Sequence, residues 1–254
     1  MKITFLGVGE ACDPRHPNTS LLVDFDVPEP RRILLDCGFT TPHLYFAGCS
    51  DPDELDALWI SHFHGDHFFG VPLLLLRFSE MGRQVPLFIL GQHGIEDKIM
   101  QVLALAYPSV AGKLGFLVEF VEVEPGTAKN VAGLRWRTAE NEHPQRCLSV
   151  RMDNEAPKSL FYSGDGRSTP ASLALAAGCD LVVHEVFRVN GETIGHGSVN
   201  GALDFARNAG AAHLALLHLN RMDRLAFGRE IRNMLKDRKD LHAFLPETGQ
   251  IFVV

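Results

Sequence analysis

The chain has 254 residues, which is enough to bury a large core. Apolar residues make up 46% of the chain and charged residues 22%, as is ordinary for a globular protein. Its net charge of −7 disfavours general nucleic-acid binding, because phosphate contacts need excess lysine and arginine. Five cysteines without a Cys-x-x-Cys pair indicate free thiols in a reducing compartment. With no signal-like leader and no bilayer-length apolar stretch, we expect a cytoplasmic protein without a membrane partner.

The predicted elements begin with strands and continue with helices and strands in alternation. Apolar and β-branched runs predict strands at 3–8, 20–25, 32–36, 55–61, 115–123, 134–138, 148–152, 159–163, 181–186, 213–219 and 250–254. Helical patterns occupy 71–78, 95–107, 171–177, 199–208 and 226–239. This order suits two sheets packed face to face with helices outside, and no linker divides the chain.

A dense cluster of metal-capable side chains follows the fourth predicted strand. His62 and His64 alternate with an apolar residue, which in an extended chain puts both imidazoles on one side. Gly65 permits a sharp turn that returns Asp66 and His67 toward the same point. Imidazole suits zinc and related ions, and carboxylate adds an oxygen ligand. The spacing therefore indicates a metal site rather than a histidine-rich surface loop.

This His-x-His-x-Asp-His run matches the defining motif of the metallo-β-lactamase superfamily, and further segments resemble its RNase Z branch. In chain order these segments are Phe5-Leu6-Gly7-Val8-Gly9, Leu35-Asp36-Cys37-Gly38, Ser163-Gly164-Asp165, Val183-His184-Glu185, Gly195-His196-Gly197-Ser198 and Leu216-Leu217-His218. The resemblance covers nearly the full chain. It implies an α/β fold of four αββα layers, with two mixed sheets packed face to face, as one domain over residues 1–254. A homodimer is an expectation from the family alone.

The resemblance also implies a site for two divalent metal ions. Its motifs correspond to seven ligands in this chain: His62, His64 and His143 for a first ion, Asp66, His67 and His218 for a second, and Asp165 as a bridge. Zinc is expected from the histidine-rich set, with manganese, iron or nickel as alternatives. A bridging water would become a hydroxide nucleophile. Asp36 is interpreted as a hydrogen-bond partner that orients a ligand imidazole, or else as a carboxylate satisfying a nearby turn.

Glu185 and His196 decide the predicted reaction type, because the matching pair in the RNase Z branch lies beside the metals. A phosphodiester releases an alkoxide that needs a proton, and an imidazolium held by a carboxylate can supply it. We therefore predict a phosphodiesterase with Asp66, Glu185 and His196 as catalytic residues. A lactone or thioester hydrolase, which needs no such pair, is the alternative, and a non-enzymatic role is disfavoured because all seven ligands are present. His184 should point away from this site and is interpreted as structural.

The chain departs from RNase Z enzymes by lacking the long arm with which they grip tRNA. His143 and Asp165 are only 22 positions apart (165 − 143), and residues 153–158 alone connect two predicted strands between them. A turn this tight leaves no room for an arm. We therefore expect a small-molecule or nucleotide-type phosphodiester as substrate and disfavour tRNA, whose 3′-processing remains an alternative function.

Four basic side chains are weaker candidates for contacts to an anionic substrate. Arg15 and His16 lie in the loop that overhangs the metals in this fold, and Arg221 and Arg224 follow His218. The simpler interpretation is that all four are merely exposed.

Overall fold

The structure, a computed structural model, describes residues 1–26, 29–155, 158–191 and 193–254. Within these ranges the first sheet contains β1 (Lys2–Gly7), β2 (Ser20–Phe25), β3 (Arg31–Leu35), β4 (Ala57–Ile60), β5 (Leu87–Gly91), β6 (Val118–Glu122) and β14 (Ile251–Val253). Their order is β14-β1-β2-β3-β4-β5-β6. Pairing is antiparallel from β14 to β3 and parallel from β3 to β6, so the sheet is mixed.

The second sheet repeats this arrangement. Its strands are β7 (Lys129–Val131), β8 (Leu134–Asn141), β9 (Cys147–Asp153), β10 (Ser159–Tyr162), β11 (Leu181–Glu185), β12 (His213–Leu217) and β13 (His242–Phe244), in the order β13-β12-β11-β10-β9-β8-β7. Strands β7 to β10 pair antiparallel, and β10 to β13 pair parallel. Each sheet therefore has an antiparallel half and a parallel half.

Helices cover the outer faces of both sheets. They are α1 (Thr41–Gly48), α2 (Gly65–Phe68), α3 (Val71–Glu80), α4 (Ile95–Ala106), α5 (Pro170–Ala176), α6 (Val199–Ala209) and α7 (Arg221–Lys236). One apolar cluster joins the first sheet to α1, α3 and α4, and another joins the second sheet to α5, α6 and α7. Within the described ranges, no helix is both long and apolar enough to cross a bilayer.

A third apolar cluster fills the space between the two sheets and contains Phe5, Trp59, Trp136, Val150 and Val183. The rings of Trp59 and Trp136, one from each sheet, stack with centroids 6.2 Å apart. Alternating side chains of each strand point inward to this cluster or outward to the helices. The predicted α/β fold, with two mixed sheets face to face and helices outside, is confirmed.

The start of helix α7 differs from the prediction for a local reason. Helix α7 starts five residues earlier than predicted, at Arg221, because the Asn220 side chain accepts a hydrogen bond from the Met222 amide (3.0 Å) and begins the helix. The connection between β9 and β10 is short, with the Asn154 amide donating to the Lys158 carbonyl at 3.2 Å. Residues 156 and 157 of the predicted turn lie outside the described residues.

The parallel halves of the two sheets bring several strand ends to one edge of the molecule. Asp36 follows β3 and His62 lies two residues after β4, while Asp165, Glu185 and His218 lie at or just after the ends of β10, β11 and β12. The carboxyl ends of parallel strands meet at the same edge, where ligands bind in open α/β sheets. This edge is where the predicted site residues gather.

Candidate metal centre

One group of metal-capable side chains is formed by His62, His64, His143 and Asp165, whose ligand atoms all lie within 4.8 Å of one another. His62 Nε2 is 3.0 Å from His64 Nδ1, and His143 Nε2 is 3.3 Å from the same Nδ1. Three imidazole nitrogens and a carboxylate that converge in this way form a donor set suited to a tetrahedral zinc ion.

A second group is formed by Asp66, His67 and His218. Asp66 Oδ2 lies 3.4 Å from His67 Nε2 and 3.3 Å from His218 Nε2. Asp165 reaches both groups, because its Oδ1 is 3.3 Å from His67 Nε2 and its Oδ2 is 3.4 Å from His218 Nε2 and 3.8 Å from His62 Nε2. The structure thus brings together all seven predicted ligands, with Asp165 between the two groups.

The local chain geometry explains how one short segment supplies four of the seven side chains. His64 is extended (φ −70°, ψ 145°), and α2 begins at Gly65 as a single helical turn. The amide of His67 donates to the carbonyl of His64 at 2.9 Å, which folds Asp66 and His67 back toward the preceding histidines. The sharp turn expected at Gly65 is therefore a short helix.

Asp36 is a shared hydrogen-bond acceptor beneath this segment. Its Oδ2 accepts from His67 Nδ1 (2.7 Å), from the Tyr162 hydroxyl (2.6 Å) and from Ser61 Oγ (2.8 Å). Ser61 Oγ in turn accepts from His62 Nδ1 at 3.0 Å. Both imidazoles consequently donate from Nδ1 and direct Nε2 to the centre, the arrangement typical of metal-ligating histidines.

The charges of these side chains shift the pKa values of the histidines in the centre. Burial opposes protonation of His67, but the Asp165 and Asp36 carboxylates outweigh it and hold the pKa of His67 well above its usual value. Burial likewise opposes charge on His218, yet Asp165 raises its pKa to about 9. Burial and the neighbouring His67 depress the pKa of His62. The carboxylates therefore favour positive charge at this position, whether protons or metal ions provide it.

Two buried atoms show which kind of ligand the centre fits. His67 Nε2 and Asp165 Oδ1 are enclosed and have no hydrogen-bond partner among the described residues, although they lie 3.3 Å apart. Orphaned buried polar atoms are costly, and a cation between a bare nitrogen and a carboxylate oxygen would satisfy both. The residues present therefore fit divalent metal ions.

Glu185 and His196 lie together at the edge of the centre, and His196 forms a third metal-capable group with Asp165 and His218. His196 Nδ1 is 3.2 Å from Glu185 Oε1, and the His196 ring lies 5.0 Å from that of His143 and 6.1 Å from that of His218. Glu185 is buried, and its Oε1 also accepts from the backbone amides of Gly166 (3.0 Å) and Gly197 (2.9 Å). The carboxylate is therefore fixed and sets the orientation of the imidazole.

Phe187 is a site residue that the sequence did not identify. Its ring stacks on His196, with centroids 4.6 Å apart and an angle of 27° between the planes. The position of Phe187, two residues after Glu185, was the only available signal, since alternating strand residues share a side. The His196 ring is thus held both by the Glu185 carboxylate and by an aromatic face.

The four basic candidates for substrate contacts differ in how exposed they are. Arg15 is exposed, as expected. His16 and Arg221 are partly buried and pair with acids of their own surroundings, Arg221 with Glu10 at 2.6 Å. The expectation of exposure is wrong for Arg224, which is buried and donates to a backbone carbonyl at 2.6 Å and to His16 Nε2 at 3.2 Å. Arg224 anchors the overhanging loop, a contact over 208 positions that sequence cannot show.

Comparisons with known proteins identify a family and a sequence relative for this chain. The family described as "Anti-Pycsar protein Apyc1" matches residues 1–222. Ribonuclease BN of Escherichia coli O81 (strain ED1a) is 28% identical over 277 aligned positions, covering 87% of this chain and 89% of that protein.

Two solved structures show the same fold over the whole chain. The metallo-β-lactamase fold protein YhfI from Bacillus subtilis superposes with a TM-score of 0.80, at 20% identity and with 99% of each chain covered. The short form of human tRNase Z gives a TM-score of 0.76 at 19% identity, covering 100% of this chain and 99% of that one. The resemblance to the metallo-β-lactamase superfamily and its RNase Z-like branch is confirmed.

Proposed function

The chain belongs to the Apyc1 family of anti-Pycsar proteins, and we propose that it is a dinuclear metal-dependent phosphodiesterase acting on a small or nucleotide-type phosphodiester. The observation that carries the proposal is the pair of His196 and Glu185, 3.2 Å apart, at the edge of two metal-capable groups that Asp165 contacts. Hydrolysis of a lactone or thioester would use the metals but has no need of a proton donor placed in this way.

The seven side chains of the centre would hold two divalent ions, and the abundance of imidazole favours zinc, with manganese, iron or nickel as alternatives. His62, His64 and His143 would bind one ion, and Asp66, His67 and His218 the other, with Asp165 between them. When bound, such ions neutralise negative charge on a phosphoryl group and make a shared water acidic enough to act as a nucleophile.

The protein's own residues would supply the proton for the leaving group. Glu185 Oε1 holds Nδ1 of His196 and leaves Nε2 free to carry a proton toward the substrate. As the bond from phosphorus to the leaving oxygen breaks, this proton passes from His196 Nε2 to that oxygen, so that an alcohol departs instead of an alkoxide. Asp66, the third predicted catalytic residue, acts in this scheme through its place in the second metal group.

The substrate class follows from what surrounds the centre. The connection between β9 and β10 closes over residues 154–158, where other branch members are expected to carry a tRNA-gripping arm, and the net charge is −7. Both features favour a small substrate. The relative named Ribonuclease BN supports a second candidate, cleavage of RNA by the same chemistry, including tRNA 3′-processing.

The test is a substrate screen on protein whose metal content has been measured. Cyclic nucleotides, bis(p-nitrophenyl) phosphate, a 3′-extended tRNA and a panel of lactones and thioesters are offered to the same zinc-, manganese-, iron- or nickel-loaded samples. The proposal expects turnover of small diesters and little of tRNA. Turnover confined to lactones or thioesters, or retained fully in Glu185→Ala, would refute it.

A further inference from the structure

A cavity of about 270 Å³ has His196 in its wall, and none of its other lining residues belongs to a metal-capable group of the described residues. It is bounded by Arg167 and Ser168 after β10, by His184 of β11, and by Gly197 and Ser198 at the start of α6. Apart from Gly197, whose amide donates to Glu185, none of these residues has a part in the proposed reaction. Because His196 lies in the wall of the cavity and also beside the centre, a molecule bound at the centre can extend into this space.

The buried wall of the cavity is the imidazole of His184, of which only 3% is exposed. Its Nδ1 donates to the Glu185 backbone carbonyl at 2.7 Å, and since a carbonyl only accepts, the ring proton is on Nδ1. Burial lowers the pKa of this histidine and keeps it neutral. Nε2 is therefore a bare acceptor, and no described protein group forms a hydrogen bond to it.

The chain leaves the space above this imidazole open. A Cβ at position 197 would lie 3.6 Å from His184 Cε1 and 3.0 Å from the Glu185 carbonyl oxygen, and glycine leaves this position empty. Ser168 and Ser198 line further parts of the wall, and the Ser198 hydroxyl also accepts from the Gly201 amide at 3.2 Å. Arg167, whose guanidinium donates to the Thr193 carbonyl at 3.1 Å, lines it as well. The cavity thus has one buried acceptor and several potential donors.

These groups select the ligand by its hydrogen-bonding chemistry. A bare imidazole nitrogen needs a donor, which an ionised phosphate or carboxylate lacks, so an anion gains nothing at His184. A neutral group with both donors and acceptors, such as the hydroxyls of a sugar or the amide edge of a base, matches the acceptor of His184 and the hydroxyls of the serines.

We propose that this cavity binds the neutral, hydrogen-bonding part of the alcohol that leaves phosphorus, with a donor of that alcohol on His184 Nε2. The inference rests on the proposed diesterase function, since His196 is both the proton donor to the leaving oxygen and the border of the cavity. His184, interpreted from sequence as structural, is then a specificity-determining residue for the leaving group.

The test compares two diesters that differ in the leaving alcohol. Thymidylyl-thymidine releases a nucleoside with hydroxyl and amide donors, whereas bis(p-nitrophenyl) phosphate releases a phenol without such additional donors. His184→Phe should lower kcat/KM for the first roughly three- to tenfold, as for loss of a neutral hydrogen bond, and for the second less than about twofold. Ser168→Leu, which narrows the cavity, should act in the same direction.

His213→Phe on the neighbouring strand β12 is the matched control, because it makes the same substitution away from the cavity. Equal effects of His184→Phe and Ser168→Leu on both diesters, or none on either, would overturn the inference. If the wild type cleaves neither diester, calorimetric titration with thymidine alone decides on the cavity, and the proposed function has failed only if cyclic nucleotides are not cleaved either. If the wild type binds thymidine and His184→Phe weakens this binding, the cavity is a site for a neutral ligand. If the wild type does not bind thymidine, the inference is refuted.

Discussion

The imidazole of His67 and the carboxylate of Asp36 are joined by a 2.7 Å contact between Nδ1 and Oδ2, in a position where neither side chain is exposed to solvent. The carboxylate can only accept, so His67 donates from Nδ1 and directs its Nε2 toward Asp66 and Asp165. A partner fixed in this way increases the basicity of a metal-ligating imidazole and holds its ring in place. Asp36 is therefore expected to control metal affinity without touching a metal.

Asp36→Asn tests this relationship with little change of shape. Asp36 has a φ of 56°, a left-handed conformation that asparagine tolerates far better than alanine does. We expect zinc affinity to fall about 10- to 100-fold, measured by competition with a chromogenic chelator. Asp180→Asn is the control, because Asp180 is a carboxylate of the second sheet that accepts from Ser159, away from the centre. Unchanged zinc affinity in Asp36→Asn would show that His67 needs no oriented partner.

Metal removal should lower thermal stability. Binding at a free metal concentration 100 times Kd stabilises a folded protein by about 2.7 kcal/mol, which for a chain of this size corresponds to roughly 5–10 °C in Tm. Scanning calorimetry before and after chelation measures the shift, and elemental analysis gives the stoichiometry. Asp165→Asn should bind fewer ions and show a smaller shift, because Asp165 is shared by both groups. A wild type holding less than one ion per chain would contradict the two-metal interpretation.

His196→Ala should separate proton donation from general damage to the site. Without the proton donor, hydrolysis of a diester with an alkoxide leaving group should slow by roughly 10²- to 10⁴-fold. Bis(p-nitrophenyl) phosphate should be affected far less, because its leaving group departs without a proton. The measurement is kcat/KM on both diesters at matched metal content. Losses of the same size on the two substrates would rule out the acid role of His196.

Phe187→Leu should produce a milder form of the same effect. The Phe187 ring stacks on His196 at 4.6 Å, and such aromatic contacts contribute about 0.5–1.5 kcal/mol. We expect kcat on an alkoxide diester to fall roughly two- to tenfold with KM nearly constant, and Phe187→Tyr to retain activity. The ratio of rates on alkoxide and aryl diesters is the readout that a merely structural role would leave unchanged.

Trp59→Ala should destabilise the whole fold, because Trp59 is fully buried between the sheets and stacks on Trp136. Removal of a buried tryptophan typically costs about 3–5 kcal/mol of unfolding free energy. Urea denaturation gives this quantity directly. Phe227→Ala, at a position that is 43% exposed, serves as the control and should cost much less. A small loss of unfolding free energy for Trp59→Ala would mean that the two sheets close over the space left by the removed side chain.

Local spacing predicted a large part of this site. The run from His62 to His67 needs only an extended segment and one helical turn, so its convergence could be inferred from neighbouring residues. His143, Asp165 and His218 gave no such signal alone and were selected by motif order along the chain. The structure places them within one centre because parallel strands end at a common edge, a consequence of topology that the motifs imply only indirectly.

Other contacts had no local signal at all. Tyr162 donates to Asp36 across 126 positions, and Arg224 holds His16 across 208. The beginning of α7 depended on one capping side chain, that of Asn220, which periodicity does not reveal. His184 was expected to point away from the metals. The cavity that it lines could not be predicted, because its walls come from the segment after β10, from β11 and from the segment around the start of α6.

The sequence by itself determined the layered fold and the chemistry of the side chains available at one edge, because strand periodicity and donor type are properties of short segments. Only the tertiary structure decided which bare nitrogen faces which carboxylate, which arginine is buried, and what space adjoins His196. Those features depend on distances between residues far apart in the chain, and such distances are set by how the two sheets pack.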